Sequence, residues 1–364
     1  MAALPPRRTF PRVDALLARL DATTRGPAGL PDGARGLVAV SGGRDSMTLL
    51  AALHALAAAR GWTLAAAHFD HRLRGEAGRL DGELVAGTCR RLGLPCLRGQ
   101  APAPGPHKGT SPEAAARARR LAFLADAARR LGAECVVTAH HADDQAELVM
   151  LRLLRGAGGE GLGGMTAADP FPGAPDLRLV RPFLGFSRDE IAGWAAAHGV
   201  CFREDETNAD VRRPRNRLRH GLLPRLAADF QPALREVLAR AAEITGAEAD
   251  FVARAAADWL KSPGGAGFDG LHVAVQRAAL RRQLLGLGVA AEFALVERLR
   301  REPGRPVNAP AGRRFRRDAA GRVEEAHPTP PLAPASLWVA PAAEGTVAFA
   351  GRRLTWRPAG GDEP

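Results

Sequence analysis

Two hydrophobic rhythms alternate along the first 225 residues. Short apolar runs at residues 37–40, 63–69, 135–139 and 177–181 are bounded by glycine, proline or polar clusters and read as buried strands. Between them lie stretches rich in Ala, Leu and Arg, at 12–20, 46–60 and 80–92 and again after Ser111, Asp143 and Ser187, which read as helices. Strand and helix in alternation predict an α/β domain built on a parallel sheet. Two helix starts are explicit. Ser111-Pro112-Glu113 supplies an N-cap, a first-turn proline and an acid, and Ser187 with Glu190 forms a capping box. Past Pro224 the strand rhythm stops, and residues 232–260, 271–287 and 292–301 carry helical periodicity. From Pro303 onward Gly, Pro and Arg dominate around short apolar pieces at 337–340 and 346–349, which predicts weak β-structure or partial disorder. The expected segments are therefore 1–225, a helical 226–302 and a C-terminal 303–364, with no internal repeat.

Composition sharpens this picture in three ways. No apolar run is long enough to span a bilayer, and the basic N-terminus has no apolar core after it, so no signal peptide is read there. Cysteines Cys89, Cys96, Cys135 and Cys201 form no C-x-x-C pair and suit a reducing cytoplasm. The net charge is +12, carried almost wholly by arginine, with Lys108 and Lys261 the two lysines. A GC-rich genome explains arginine in place of lysine but not the excess of positive charge, which points to a polyanion such as a nucleic acid.

Chemistry concentrates where strands end. After the first strand comes Ser41-Gly42-Gly43-Arg44-Asp45-Ser46, a turn into a helix start. Glycines let the backbone approach a ligand, and unpaired N–H groups at the helix N-terminus face an anion, so this is a place to hold phosphate. Asp45 is placed to hold magnesium bridging phosphates. There is no Walker A loop, since no G-x-x-x-x-G-K-[ST] occurs. The second strand ends in His68-Phe69-Asp70-His71, at the crevice position of an α/β sheet. Residues 98–110, RGQAPAPGPHKGT, read as a Pro/Gly loop, and on the following helix Arg117 and Arg120 share a face. The next strand runs into His140-His141-Ala142-Asp143-Asp144-Gln145-Ala146-Glu147, which puts three acids on one helix face beside two histidines. That set suits a divalent metal held through carboxylates, and zinc is disfavoured because no cysteine is near. Residues 204–210 form an acidic-polar loop that includes Asn208, and 212–219 hold five arginines, suited to phosphate forks.

The turn at 41–46 matches the SGG-x-DS signature of the PP-loop ATP pyrophosphatases position for position. Further stretches resemble one PP-loop subfamily, the tRNA(Ile)-lysidine synthetases: His68 to Arg74, the E-A-x-A-R-x-x-R of Glu113 to Arg120, His140 to Met165, and the pieces Glu204–Asp210 and Arg215–Pro224. The resemblance covers about residues 35 to 225, with Phe69 and Glu206 as mild departures. It implies a PP-loop domain that cuts ATP between the α and β phosphates, adenylates the wobble cytidine of an isoleucine tRNA with a CAU anticodon, and displaces AMP with free lysine. ATP and magnesium are the implied cofactors, and a homodimer is left open. Ser41, Gly42, Gly43, Arg44, Asp45, Ser46 and His68 are then expected to bind ATP, with Asp45 and Asp144 on the metal. Asp45, Arg117, Asp143, Asp144 and Glu147 are the expected catalytic set. Arg117, His140, Glu147, Asn208, Arg212, Arg215, Arg217 and Arg219 are expected to face tRNA or lysine. Two rivals stand beside this reading. A PP-loop tRNA thiolase normally needs paired cysteines, and a basic RNA-binding protein without turnover would leave the acids idle.

Overall fold

The computed structural model describes residues 11–26, 29–102, 112–204, 210–261, 267–326, 344–349 and 352–357. The first helix, α1 (Pro11–Arg25), precedes β1 (Arg35–Ala39), α2 (Arg44–Arg60) and β2 (Thr63–Asp70). Next come α3 (Glu76–Leu92), β3 (Cys96–Gln100), α4 (Pro112–Arg130), β4 (Cys135–Val137) and α5 (Ala142–Leu154). The short α6 (Gly159–Leu162) leads to β5 (Ala168–Phe171), β6 (Ala174–Val180) and α7 (Arg188–Ala197). The sheet order is β3-β2-β1-β4-β6-β5. Every neighbouring pair is parallel except β5 with β6. This is the α/β architecture that the alternation predicts.

The order has a functional consequence. The chain leaves β1 toward β2 on one side, and β4 joins β1 on the other. At such a switch point the loops after the two central strands part and open a crevice at their carboxyl ends. The loop at 41–46 follows β1, and the residues 138–144 follow β4. Both faces of the sheet are covered. One core gathers Val38, Val40, Leu49, Leu50 and Leu53 with Trp194, and the other gathers Leu37, Val136, Leu179 and Ala127. Successive residues of β1 thus point into opposite cores, as a doubly covered parallel strand requires.

Two strands lack a sequence signal of their own. Residues 96–100, partly assigned to the Pro/Gly loop, form edge strand β3, paired with β2. Its sequence, CLRGQ, is half-exposed and lacks a continuous apolar run. Strand β5, ADPF, contains a proline, which an edge strand tolerates. The N-cap Ser111 lies outside the described residues, while the capping box at Ser187 and Glu190 is formed.

After Pro214, the chain continues through α8 (Pro214–Arg217), a π-helical turn (Leu218–Leu222), α9 (Leu223–Asp229) and the long α10 (Leu234–Lys261). Its contacts divide it into two compact units, 1–251 and 252–364. The division falls later than residue 225 because Leu218, Leu223, Leu226, Leu234 and Leu238 share a core with Met150 and Leu151 of α5.

In the second unit, α11 (Val273–Gly286) and α12 (Phe293–Arg301) share a core with β7 (Val307–Asn308) and β8 (Arg314–Arg317). A third strand, β9 (Val323–Glu325), completes an antiparallel sheet with them. The last described pair, β10 (Gly345–Phe349) and β11 (Arg352–Trp356), is antiparallel, and the apolar piece at 337–340 lies outside the described residues. Among the described residues no helix is long and apolar enough to cross a membrane.

Candidate active site

The loop after β1 is built to present backbone. Ser46 Oγ donates to Gly43 O (2.9 Å) and accepts from Ser41 N–H (3.1 Å), while the Ser41 and Ser46 hydroxyls meet at 3.0 Å. The two serines close the turn on itself. No side chain caps α2 at Gly43, which leaves first-turn N–H groups of a helix N-terminus directed at the crevice. Gly42 has φ +93°, and a Cβ there would stand 3.1 Å from Asp81 Cβ, so this position requires glycine. Asp81 is itself buried and held by Arg74 Nη1 (2.9 Å) and Arg203 Nε (3.0 Å). Arg203 N–H also donates to Gly42 O (3.0 Å). Asp81 and Arg203 thus brace the loop from behind. Neither carries a local signal, because their partnership spans 122 positions of chain.

His68 is buried at the end of β2, with Nδ1 2.9 Å from Val40 O. A carbonyl accepts, so Nδ1 carries the proton and Nε2 is left as the acceptor. Nε2 is buried without a partner among the described residues. It lines a cavity of about 330 Å³ together with Asp70, Gly78, Gly82, Arg98 and Gln100.

The acids after β4 converge on the same crevice. His141 Nε2 stands 3.5 Å from Asp45 Oδ2 and 3.5 Å from Asp144 Oδ2, and its Nδ1 is 3.7 Å from Asp143 Oδ2. A histidine among three carboxylates links the two loops. Burial works against its charge, but Asp45, Asp144 and Asp143 outweigh burial and raise its pKa. Burial likewise pushes Asp45 upward, yet His141, Arg44 and Arg188 leave its carboxyl below the ordinary value. His140 differs. Its Nδ1 pairs with Thr138 Oγ1 (2.9 Å), and burial, aided by Arg181, Arg215 and Arg120 against Asp144, pushes its pKa down to about 4. It is a neutral imidazole at pH 7.

Helix α8 and the π-helical turn supply the counter-charge. Arg215 donates from Nε to Glu147 Oε2 (2.6 Å) and from Nη2 to Asp144 Oδ1 (2.6 Å). Arg219, one helical turn on, binds the same pair of carboxylates. Glu147 is 1% exposed, so this pairing is what permits a charge at its depth. The arginine run therefore splits. Arg215 and Arg219 face the acids, whereas Arg217 is exposed and Arg212 is exposed beside Asp210 (2.9 Å). Asn208 lies outside the described residues.

Arg117 is exposed on α4, while Arg120 of the same helix is half-buried, with Nε partnerless among the described residues. Burial and the charge of Arg117 lower the Arg120 pKa. A guanidinium held at that depth with its Nε unpartnered among the described residues suits an incoming anion, so Arg120 is a further candidate. Its spacing from Arg117 puts the two on one face but does not say which of them is buried. Among the described residues no group of three His, Cys, Asp or Glu is disposed to hold a metal alone. Asp45 and Asp144 offer two carboxylates, the number magnesium takes when phosphates complete its shell.

A family model described as a PP-loop domain matches residues 20–226. The tRNA(Ile)-lysidine synthase of Gloeobacter violaceus is 40% identical over 271 residues, 72% of this chain and 81% of that protein. The chain belongs to the tRNA(Ile)-lysidine synthase family. The Geobacter sulfurreducens lysidine synthase is 36% identical over 81% of this chain and 58% of its own length. The Symbiobacterium thermophilum lysidine synthase is 42% identical over 59% and 44%, so the match spans only about half of some family members. Among solved structures, the U34-tRNA thiolase NcsA from Methanococcus maripaludis, with its [4Fe-4S] cluster, shares the fold at TM-score 0.52 and 15% identity. The likeness covers 64% of this chain and 78% of that one. Cys96 and Cys135 are the first residues of β3 and β4, at the opposite ends of those strands from the crevice.

Proposed function

We propose that this chain adenylates the wobble cytidine of an isoleucine tRNA with a CAU anticodon and then replaces AMP with lysine. The observation that carries this is the meeting of Asp45, from the phosphate loop, with Asp144 and Glu147, from the acid helix, at one switch point. His141 Nε2 stands 3.5 Å from both Asp45 and Asp144, so the phosphate loop and the carboxylates that receive the amine share one crevice, as a two-step reaction needs.

In the first step cytidine O2 attacks the α-phosphorus of ATP and pyrophosphate leaves. The 41–46 loop amides cradle the phosphates, and Arg120 neutralises charge that builds on the departing oxygens. Magnesium, when held by Asp45 and Asp144 with phosphate oxygens, supplies further neutralisation of that charge. His68 Nε2 and the cavity beside it receive the adenosine end. In the second step the lysine amine attacks C2 of the cytidine, and AMP leaves with its bonding electron pair. The amine must lose its proton before attack, and Glu147 and Asp144 bind it and draw that proton away. Exposed Arg212 and Arg217 offer charge to the tRNA backbone. ATP, free lysine and tRNA meet in the cytoplasm, where this reaction belongs.

The test is AMP formation by purified protein with magnesium, ATP and unmodified isoleucine tRNA, with and without labelled lysine. Lysine-dependent AMP release with label in the tRNA is expected. Turnover that ignores lysine, or salt-sensitive RNA binding without turnover, would overturn the reading.

A further inference from the structure

Spacing groups Asp143 with Asp144 and Glu147, but its surroundings are different. Asp143 Oδ2 accepts the backbone N–H of Arg188 (2.9 Å), at the start of α7. Oδ1 pairs with Arg235 Nε at 2.7 Å. Both oxygens are engaged within the protein, and the residue is 7% exposed. Arg235 belongs to the first turn of α10, which is fixed on α5 from both sides of that turn. Leu234 and Leu238 pack into the core that contains Met150. Further along, Gly246 of α10 meets Gly163 at backbone distance, where a Cβ on Gly163 would lie 2.8 Å from Gly246 Cα. The guanidinium therefore comes from a firmly seated helix.

We infer that Arg235 is a positioning residue for the adenylation step: it takes up the charge of Asp143, so that His141 is shared between Asp45 and Asp144. The inference rests on the functional reading above. Three carboxylates surround His141, two at its Nε2 edge and one at its Nδ1 edge. While Asp143 is paired with Arg235 and the α7 amide, its pull on Nδ1 is weak, and the ring stays aimed at the phosphate loop. Without Arg235, a buried carboxylate keeps the Arg188 N–H but has lost its ion-pair partner, 3.7 Å from Nδ1. The His141 ring edge already stands beside that carboxylate and can turn toward it, and Asp45 then loses its partner.

Three variants test this: Arg235→Gln, Arg235→Lys and the double variant Arg235→Gln/Asp143→Asn. In pyrophosphate release, Arg235→Gln is expected to lower kcat about tenfold, the scale of removing a half-exposed cation from a buried carboxylate, with KM for ATP and lysine nearly unchanged. Arg235→Lys should recover most of kcat. The double variant should outperform Arg235→Gln, because the asparagine amide carries no charge to attract His141 while its carbonyl oxygen still accepts the Arg188 N–H. A helix-docking role alone would give no such recovery. Thermal melting of the same set reads the pairing without any activity, and the double variant should again sit above Arg235→Gln. Wild-type kcat in Arg235→Gln, or a double variant no better than the single in both measurements, would overturn the inference. A wild type inactive toward tRNA with a recovered melting temperature in the double variant would instead retain the charge pairing and overturn the functional reading together with the adenylation role of Arg235.

Discussion

Glu147 and Glu297 are both buried glutamates held by arginines, and they do different things. Glu297 on α12 is bound by Arg277 (2.7 Å), Arg300 (3.0 Å) and Arg301 (3.2 Å). Hydrogen bonds from Arg277 and Arg300 draw its pKa down to about 2. One acid faces three cations there, and the cluster is a staple between α11 and α12. Around Glu147 the ratio is lower, two carboxylates to two arginines. Arg215 and Arg219 are each divided between Glu147 and Asp144, with Asp45 and Asp143 close by around His141. An acid held by its own arginines has no call on a ligand. Acids that must share theirs, at the carboxyl ends of parallel strands, keep capacity for a cation that arrives with substrate. Charge ratio, not burial, separates the staple from the site.

The comparison can be broken most sharply at Asp45. Asp45→Ala should reduce pyrophosphate release by about a hundredfold or more, as loss of one preorganised charge-stabilising group does, with an unchanged circular dichroism spectrum. Normal release would remove the phosphate loop from the account. Glu147→Gln keeps the shape and loses the charge, and should raise KM for lysine about tenfold. A KM equal to wild type, measured by lysine-dependent AMP release, would make Glu147 a second staple.

Glu297→Gln is the mirror test. It should leave the kcat of both steps unchanged while the melting temperature falls by roughly a few degrees. Acid sensitivity offers a gentler probe. His140 titrates near 4 in the folded chain against 6.5 as its ordinary value. Between those values the unfolded state takes a proton that the folded state refuses, so stability falls as pH drops from about 6.5 to about 4. His140→Gln should flatten that part of a urea-midpoint profile, and an unchanged slope would show that the imidazole is not held neutral. Smallest of all, Arg212→Ala should change kcat by less than about twofold, because an exposed pair such as Arg212 with Asp210 contributes little.

How much of this is legible in the chain depends on the range of the signal. The phosphate loop and the acid helix are contiguous in sequence, and each sits at a strand end, so residues 41–46 and 140–147 declare themselves together with the α/β alternation. Capping at Ser187 is equally local. Strand β3 escapes because an edge strand needs no unbroken apolar run. In the second unit's sheet, β-structure after Pro303 is legible but its strand bounds are not, for a related reason. Strand β8 is RFRR, in which Phe315 is buried and Arg317 is buried too. Arg317 donates to Leu299 O (2.9 Å) and Arg300 O (3.0 Å), capping the end of α12, so a strand with charges on both faces carries no apolar alternation.

Within the site, the five arginines read as one phosphate-facing patch. Helical spacing sorts them, with Arg215 and Arg219 four apart on the acid side. Asp81, Arg203 and Arg235 have no local pattern at all. Asp81 and Arg203 are defined by each other across distant parts of the chain, and Arg235 by Asp143 on another helix. Only the folded chain brings those partners together.

The claim at the centre of this account is that the phosphate loop runs the first step while Glu147 serves the second. The direct measurement is a single-turnover pyrophosphate burst by Glu147→Gln with ATP, magnesium and isoleucine tRNA, with lysine omitted. The account predicts a burst of wild-type amplitude followed by slow transfer once lysine is added. Loss of the burst itself would contradict it, because Glu147 would then be needed for adenylation and the division of labour would fail.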